Sequence, residues 1–189
     1  MKVGALKTCP SCMPLPRKVQ HGVTCDCCTP APAAQSLDEV AFAKSAAAAA
    51  QAGDYLRVKS LIARNPAAVH DDGYGGTSGY TPLIYAAREG HAAVVQLLLE
   101  SGAAPDAATA AGRSTALHRA AWMGHIDVVH TLLAAGATPG LQDADGQTAL
   151  HKAVQRGHSG VAAVLLAAAP ELTGVQDKKG RLAADLEPG

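Results

Sequence analysis

Aromatic side chains are scarce in this sequence of 189 residues, which has one Trp, one Phe and four Tyr. Large aromatic rings supply much of the buried area of a thick core, so their scarcity argues against such a core. Alanine provides much of the apolar content instead, which favours many closely packed helices. Long apolar runs are missing as well, since none approaches the roughly 20 residues that a membrane-spanning helix needs. We therefore expect no membrane association.

A surplus of charge of either sign is also missing, because 16 basic residues balance 16 acidic ones. Four of the basic residues lie in residues 1–35, against Asp26 alone, so the rest of the chain is mildly acidic. A mildly acidic body offers no electrostatic footprint for nucleic acid. The N-terminus lacks the apolar stretch of a secretory signal, and clustered thiols are typical of a reducing compartment. We expect a cytoplasmic protein that does not bind nucleic acid.

Catalytic signatures are missing too. No Ser or Cys nucleophile stands in a motif with a His and an acid, and no Gly-rich phosphate loop leads from a strand to a helix. We therefore predict that the chain is not an enzyme.

Cysteine is confined to residues 9–28, where all five cysteines lie. They include two Cys-x-x-Cys pairs, a spacing that can bring four thiolates to one tetrahedral zinc ion. Free thiols in a flexible tail are the alternative, because the segment has no apolar core of its own. The sequence thus predicts a Cys- and Pro-rich tail over residues 1–35 that holds at most one zinc ion, and no other cofactor. The candidate metal ligands are Cys9, Cys12, Cys25 and Cys28, with Cys27 as a possible replacement.

What the sequence does contain is an internal repeat. Three segments begin at Thr81, Thr115 and Thr148, 34 and 33 residues apart, and read TPLIYAAREGHAAVVQLLLESGA, TALHRAAWMGHIDVVHTLLAAGA and TALHKAVQRGHSGVAAVLLAAAP. A weaker copy precedes them as AAAAAQAGDYLRVKSLIARNP, and a decayed copy follows as GRLAADL. The period predicts stacked units that are stable only together.

Local signals divide each unit into two helices. Thr81 followed by Pro82 predicts a helix start with a capping hydroxyl. Glycine at positions 90, 124 and 157 predicts a left-handed end of the first helix, and a second helix with one apolar face follows. The run Ser36–Glu39 is a capping box, and we interpret it as the start of the first helix, to which Ala46–Ala50 belongs.

These segments resemble the ankyrin repeat family over about residues 40–187. The resemblance implies an all-α ankyrin-repeat solenoid of stacked helix-turn-helix units with hairpin loops, about four repeats plus a truncated C-terminal cap, within residues 36–189. It implies that His118 and His151 hydrogen-bond the loop backbone, and that Ile84 loses this bond in its own repeat. The histidines that follow the helix-ending glycines are interpreted as capping residues, namely His91, His125 and His158.

The resemblance further implies a non-enzymatic module whose protein partner docks on hairpin tips and on the exposed face of the first helices. Trp122, the one tryptophan, stands there where neighbouring copies have Arg and Gln, although it could instead pack over the adjacent helix. Basic residues surround it, so we predict a partner with an acidic, partly apolar surface. The predicted partner-binding residues are Tyr80, Arg88, Arg113, Trp122, Met123, Arg156, Lys178 and Lys179.

Two kinds of function remain open from the sequence. The chain could be a scaffold or adaptor that is monomeric until it binds one protein. It could instead be a structural subunit of a large assembly, with the cysteine-rich tail as an additional anchor or zinc site.

Overall fold

The computed structural model describes residues 44–71 and 78–186, which belong to one compact unit spanning Gln35–Gly189. Eight α-helices lie in these two ranges: α1 Ala46–Gln51, α2 Tyr55–Arg64, α3 Pro82–Glu89, α4 Ala92–Glu100, α5 Ala116–Met123, α6 Ile126–Ala134, α7 Ala149–Gln155 and α8 Ser159–Ala168. Short 3₁₀ turns lie at Pro66–Val69, Pro170–Gly174 and Ala183–Asp185. The cysteines and the predicted boundary at residue 35 fall outside the described residues.

The helices form two parallel rows. The first helices α1, α3, α5 and α7 pack on one another in that order, and the second helices α2, α4, α6 and α8 do the same. The 3₁₀ turn Ala183–Asp185 packs on α7, where a fifth first helix would stand. The predicted all-α stack of four helix pairs with a truncated C-terminal cap is therefore confirmed.

The core is built as the composition predicts. Small residues such as Ala86, Ala87 and Ala120 are fully buried between first helices, and leucines such as Leu98 and Leu132 fill the space beneath them. Between the helix pairs, the described chain forms hairpins with isolated antiparallel bridges rather than extended strands. Within the described part of the chain, no helix is both long and apolar enough to cross a bilayer.

Three histidines tie each repeat to the one before it. The Nε2 atoms of His91, His125 and His158 lie 3.0 to 3.1 Å from the backbone oxygens of Gln51, Arg88 and Trp122. Each of the three stands at the N-cap position of its second helix, as predicted, but its side chain makes no capping hydrogen bond there. The imidazole instead crosses to the preceding repeat, where a carbonyl at the end of the first helix lacks an intrahelical partner.

The helix-ending glycines make room for these rings. Gly90 has φ 84° and Gly124 has φ 83°, which confirms the predicted left-handed ends. A Cβ atom on Gly90 would lie 2.7 Å from the His125 ring, and one on Gly124 would lie 2.7 Å from His158. Glycine is therefore required twice at these positions, for its backbone angle and for the contact.

A second set of histidines joins each first helix to the following hairpin, as the resemblance implies. His118 Nε2 lies 3.0 Å from the Gln147 oxygen, and His151 Nε2 lies 3.3 Å from the Arg181 oxygen. A carbonyl oxygen can only accept, so Nε2 carries the proton and Nδ1 is left as an acceptor. In both repeats Nδ1 meets the threonine three residues earlier, at 2.9 Å from Thr115 Oγ1 and 2.8 Å from Thr148 Oγ1.

The repeat of α3 lacks this arrangement, as the replacement of His by Ile84 predicts. Ile84 is fully buried, and the Thr81 hydroxyl is buried with no hydrogen-bond partner among the described residues. Thr81 also does not cap α3 through its side chain, so the predicted capping hydroxyl is wrong. Pro82 at the first position of α3 remains as the start signal.

The beginning of α1 differs from the sequence-based interpretation as well. The chain bends at Ser45, and the Ser45 hydroxyl accepts a hydrogen bond from the Ala48 N–H at 3.2 Å. The alanine run therefore starts from its own cap, not from Ser36, which lies outside the described residues. A cap is needed here because alanine side chains cannot satisfy the free N–H groups of the first turn.

The unpaired Thr81 hydroxyl leads to a testable difference between two threonines. We expect Thr81→Val to leave the free energy of unfolding unchanged or to raise it by up to about 1 kcal/mol, because it removes a buried group without a partner. Thr115→Val should lower it by about 1–2 kcal/mol, because His118 Nδ1 loses its hydroxyl donor. Urea denaturation of the two variants measures both changes, and equal losses in the two would contradict this account.

Candidate functional site

Trp122 lies on the exposed face of α5 and is half-buried between two cations of the next repeat. The guanidinium carbon of Arg156 is 4.5 Å from the centre of the indole ring, and Lys152 Nζ is 5.7 Å from it. Cations at these distances are attracted to the ring face. The Trp122 side chain is therefore neither free in solvent nor part of the core, and positively charged groups lie next to its ring.

Lys152 is itself held by an acidic residue of the adjacent hairpin. Its Nζ lies 2.7 Å from Asp143 Oδ2, while Asp143 Oδ1 accepts from the N–H groups of Asp145 and Gln147, each at 2.9 Å. Burial by itself would raise the pKa of Asp143, but the hydrogen bonds from Lys152 and from the two N–H groups outweigh burial and lower the pKa. The ion pair fixes the hairpin against α7 and neutralises both charges.

The next hairpin repeats the arrangement. Asp177 Oδ1 accepts from the N–H groups of Lys179 and Arg181 at 2.8 and 3.0 Å, and Arg181 Nη2 lies 2.7 Å from Asp177 Oδ2. The Arg181 N–H is the largest of the influences that lower the pKa of Asp177 to about 2. Asp177 is therefore ionised at any physiological pH, and Arg181 compensates its charge.

Trp122 lines two grooves. A groove of about 380 Å³ is lined by Trp122, Asp145, Gln147, Lys152, Gln155, Asp177, Lys178, Lys179 and Arg181. A smaller one of about 250 Å³ shares Trp122, Lys152 and Asp145 with it and extends to Arg119. The charges of Asp177 and Arg181 compensate each other, and Lys152 is paired with Asp143. The remaining charges in the lining of the larger groove are the two positive charges of Lys178 and Lys179 and the negative charge of Asp145. We use the name Trp122 groove for these two spaces taken together.

A separate aromatic cluster lies toward the N-terminal repeats. The ring centres of Tyr80 and Tyr85 are 5.4 Å apart, and Arg119 Nη2 donates to the Tyr80 hydroxyl at 2.6 Å. Arg88 stands 5.7 Å from the centre of Tyr85 and forms an ion pair with Glu89 at 2.7 Å. The positive charge of Arg88 is thus compensated locally.

His118 lines the smaller part of the Trp122 groove. Its Nε2 bonds the carbonyl of Gln147, a hairpin residue that lines the larger part. Burial is the largest influence on the imidazole and lowers the pKa of His118 below its ordinary value of 6.5. The neutral ring also matches its partners, since Nδ1 accepts from the Thr115 N–H at 3.3 Å and a protonated Nδ1 could not.

Comparison with known proteins agrees with this geometry. The family model described as ankyrin repeats in three copies matches residues 46–143, and a second one for many copies matches residues 123–166. The chain belongs to the ankyrin repeat family. It is also similar to the human protein named ankyrin repeat domain-containing protein 39, with 47% identity over 75 residues. That match covers 40% of this chain and 39% of the relative, so the chain matches about two fifths of the length of this curated relative.

Ankyrin repeats are in general protein–protein interaction modules without enzymatic activity. The structure brings four of the eight predicted partner-binding residues together, because Arg156 stacks on Trp122 and both Lys178 and Lys179 line the same groove. Arg113 lies in a neighbouring groove at the hairpin tips, which Lys178 also lines. Among the others, Tyr80 and Arg88 belong to the tyrosine cluster, and Met123 is 45% exposed and lines neither part of the Trp122 groove.

The sequence-based prediction of partner-binding residues left out two residues that line the Trp122 groove. Lys152 and Arg119, the fourth residues after Thr148 and Thr115, lie beside Trp122 on the same face. The alignment of the repeats could have identified them, because Tyr85, Arg119 and Lys152 occupy equivalent positions. Equivalent positions of stacked repeats lie in one row on the same face. The predicted zinc ligands Cys9, Cys12, Cys25 and Cys28 fall outside the described residues, within which no group of three potential metal ligands occurs.

The state of His118 leads to a dependence of stability on pH. Because the pKa of His118 is lower in the folded chain, the unfolded chain binds more protons below about pH 6.5, and the free energy of unfolding falls as the pH falls. Each unit of difference in pKa corresponds to about 1.4 kcal/mol. We expect the urea midpoint to decrease between pH 7.5 and pH 5.

The matched variants are His118→Leu, which should reduce this decrease, and His130→Gln, which removes an exposed histidine and should preserve it. A decrease that is the same in His118→Leu as in the wild-type chain would show that another group is responsible.

Proposed function

We propose that this chain is a non-enzymatic adaptor or scaffold that holds an acidic, partly apolar segment of a protein partner in the Trp122 groove. The observation that carries the proposal is the half-buried indole that lines two grooves, one of which is also lined by Lys178 and Lys179, which have no ion-pair partner among the described residues. A partly exposed tryptophan is the kind of side chain that contributes most to protein interfaces. Lys178 and Lys179 suit a partner with carboxylates, which they attract before contact.

Local charge rather than net charge supports the sign of the partner. Residues 36–189 carry 12 basic residues against 15 acidic ones. Two of the acidic residues, Asp143 and Asp177, each accept hairpin N–H groups and are each paired with a cation. Lys178, Lys179 and Arg156 have no ion-pair partner among the described residues and lie around one aromatic side chain. Charge complementarity at this short range governs the rate of association and the choice of partner.

Replacing Trp122 tests this proposal. We expect Trp122→Ala to weaken partner binding more than tenfold, because the apolar anchor of the groove is lost. The free energy of unfolding should change by about 1 kcal/mol or less, because the ring is only half-buried. The control is Leu56→Ala, which truncates a side chain that is 76% exposed on α2 and should leave binding intact.

Affinity capture from cell extract with quantitative mass spectrometry compares the three chains. A partner captured equally by wild-type and Trp122→Ala would contradict the proposal. A loss of several kcal/mol of stability in Trp122→Ala would instead show that the ring belongs to the core. The alternative, a structural subunit held over most of its length, predicts constant stoichiometry in an assembly and little dependence on Trp122; it stays a prediction.

We further propose that the N-terminal cysteines hold one zinc ion in the reducing cytoplasm, on the basis of the two Cys-x-x-Cys pairs. Metal analysis of the purified, reduced chain should find one zinc ion. Cys12→Ser should lose zinc, whereas Cys27→Ser, the matched control, should retain it. A chelator should remove the zinc without lowering the unfolding temperature of the repeats, which bury their own core. Absence of zinc from the wild-type chain would refute the site in favour of free thiols.

A further inference from the structure

Arg113 occupies a hairpin position at which the equivalent hairpins of the other repeats have glycine. Gly79, Arg113, Gly146 and Gly180 each stand three residues before the first residue of their repeat's helical segment. All four have positive φ, at 68°, 48°, 77° and 74°. Arg113 is the single non-glycine residue with positive φ in the described part of the chain.

This position is unfavourable for any residue with a side chain. The left-handed region brings Cβ close to the backbone, which glycine avoids. In two of the other hairpins space is short as well, since a Cβ on Gly79 would lie 2.9 Å from the Ala110 nitrogen and one on Gly146 would lie 2.7 Å from the Lys178 nitrogen. An arginine in this conformation lowers the stability of the hairpin tip relative to glycine. Residues with strained backbone angles are found mainly at binding and active sites.

The Arg113 side chain lies where a ligand could use it. It lines a groove of about 650 Å³ along the hairpin tips, which we call the tip groove. Arg113 and Lys178 are exposed and have no ion-pair partner among the described residues, whereas the two aspartates of the groove are paired with Lys152 and Arg181. The tip groove therefore keeps two uncompensated positive charges above a floor that includes Ala110 and Leu141.

The tip groove continues from the Trp122 groove, because Lys178 lines both. We propose that the tip groove binds carboxylate side chains of the same acidic protein segment that lies on Trp122, with Arg113 as the residue that selects for an acidic side chain beyond Lys178. This inference rests on the proposed function and specifies a second contact of the partner. Arginine suits the role because its planar guanidinium can bind a carboxylate through two hydrogen bonds.

A defined probe tests the inference without knowledge of the natural partner. The probe is a fluorescein-labelled peptide of ten alternating glutamates and leucines, and its dissociation constant is measured by anisotropy at low and high salt. Three variants separate charge from strain: Arg113→Gln removes the charge and keeps the strained position, Arg113→Lys keeps both, and Arg113→Gly removes both.

We expect Arg113→Gln and Arg113→Gly to weaken binding about three- to tenfold at low salt, with a smaller effect at high salt because ions screen the exposed charge. Arg113→Lys should remain within about threefold of the wild-type chain. Arg113→Gly should also raise the urea midpoint, since glycine relieves the strain. Unchanged binding by Arg113→Gln, or equal losses in the Gln and Lys variants, would overturn the inference.

Trp122→Ala, measured in parallel, separates the two proposals. Weakened binding in Trp122→Ala with unchanged binding in Arg113→Gln overturns the tip contact and leaves the Trp122 groove. The reverse result overturns the Trp122 groove and leaves the tip contact. No binding of the peptide to the wild-type chain, or displacement of the peptide by an equimolar single-stranded oligonucleotide, overturns both.

Discussion

Each junction between repeats depends on an imidazole N–H that reaches a backbone carbonyl of the neighbouring repeat. His158 holds the Trp122 carbonyl in this way, and His118 holds the hairpin at Gln147. A stack of identical helix pairs could slide or open without directional bonds, because apolar contacts between small alanines have little orientation of their own. The grooves on the first-helix face are therefore formed without a partner, so a partner that docked there would lose less conformational entropy on association.

The hairpins give the surface its charge. In both C-terminal hairpins an aspartate uses one oxygen to accept two N–H groups and the other to bind a cation. The charges of Asp143 and Asp177 are thus compensated within the fold, while Lys178 and Arg113 at the hairpin tips have no ion-pair partner among the described residues. A chain with zero formal net charge can in this way present a basic groove, because recognition depends on charges within a Debye length of the partner.

The sequence predicted the repeat and its helices, but it missed several contacts between repeats and the effects of residues that depart from the repeat. The period and the helix ends followed from equivalent positions in three copies, whereas the roles of His118 and His151 came from the resemblance to ankyrin repeats. The side-chain bonds of the histidines after the glycines were not predicted, because their partners lie 36 to 40 residues earlier in the chain and no local pattern shows that distance. Lys152 was missed for a related reason, since its contact with Trp122 joins two repeats. The left-handed angle of Arg113 was hidden by one extra residue in its hairpin.

Departures from the repeat concentrate at the junction between the second and third helix pairs. Ile84 removes one histidine bond there, and Thr109–Ser114 spans one residue more than Asp143–Gln147, although the two closing hydrogen bonds are equivalent. Arg119 donates to Tyr80 across the same junction and partly replaces the missing bond. Natural sequences break local rules mainly where function requires it. The junction that lacks one histidine bond and contains the left-handed Arg113 is also the one that places Arg113 in the lining of the tip groove and Arg119 in the lining of the Trp122 groove. Such a coincidence is expected if the proposed binding surface depends on residues that differ between the repeats.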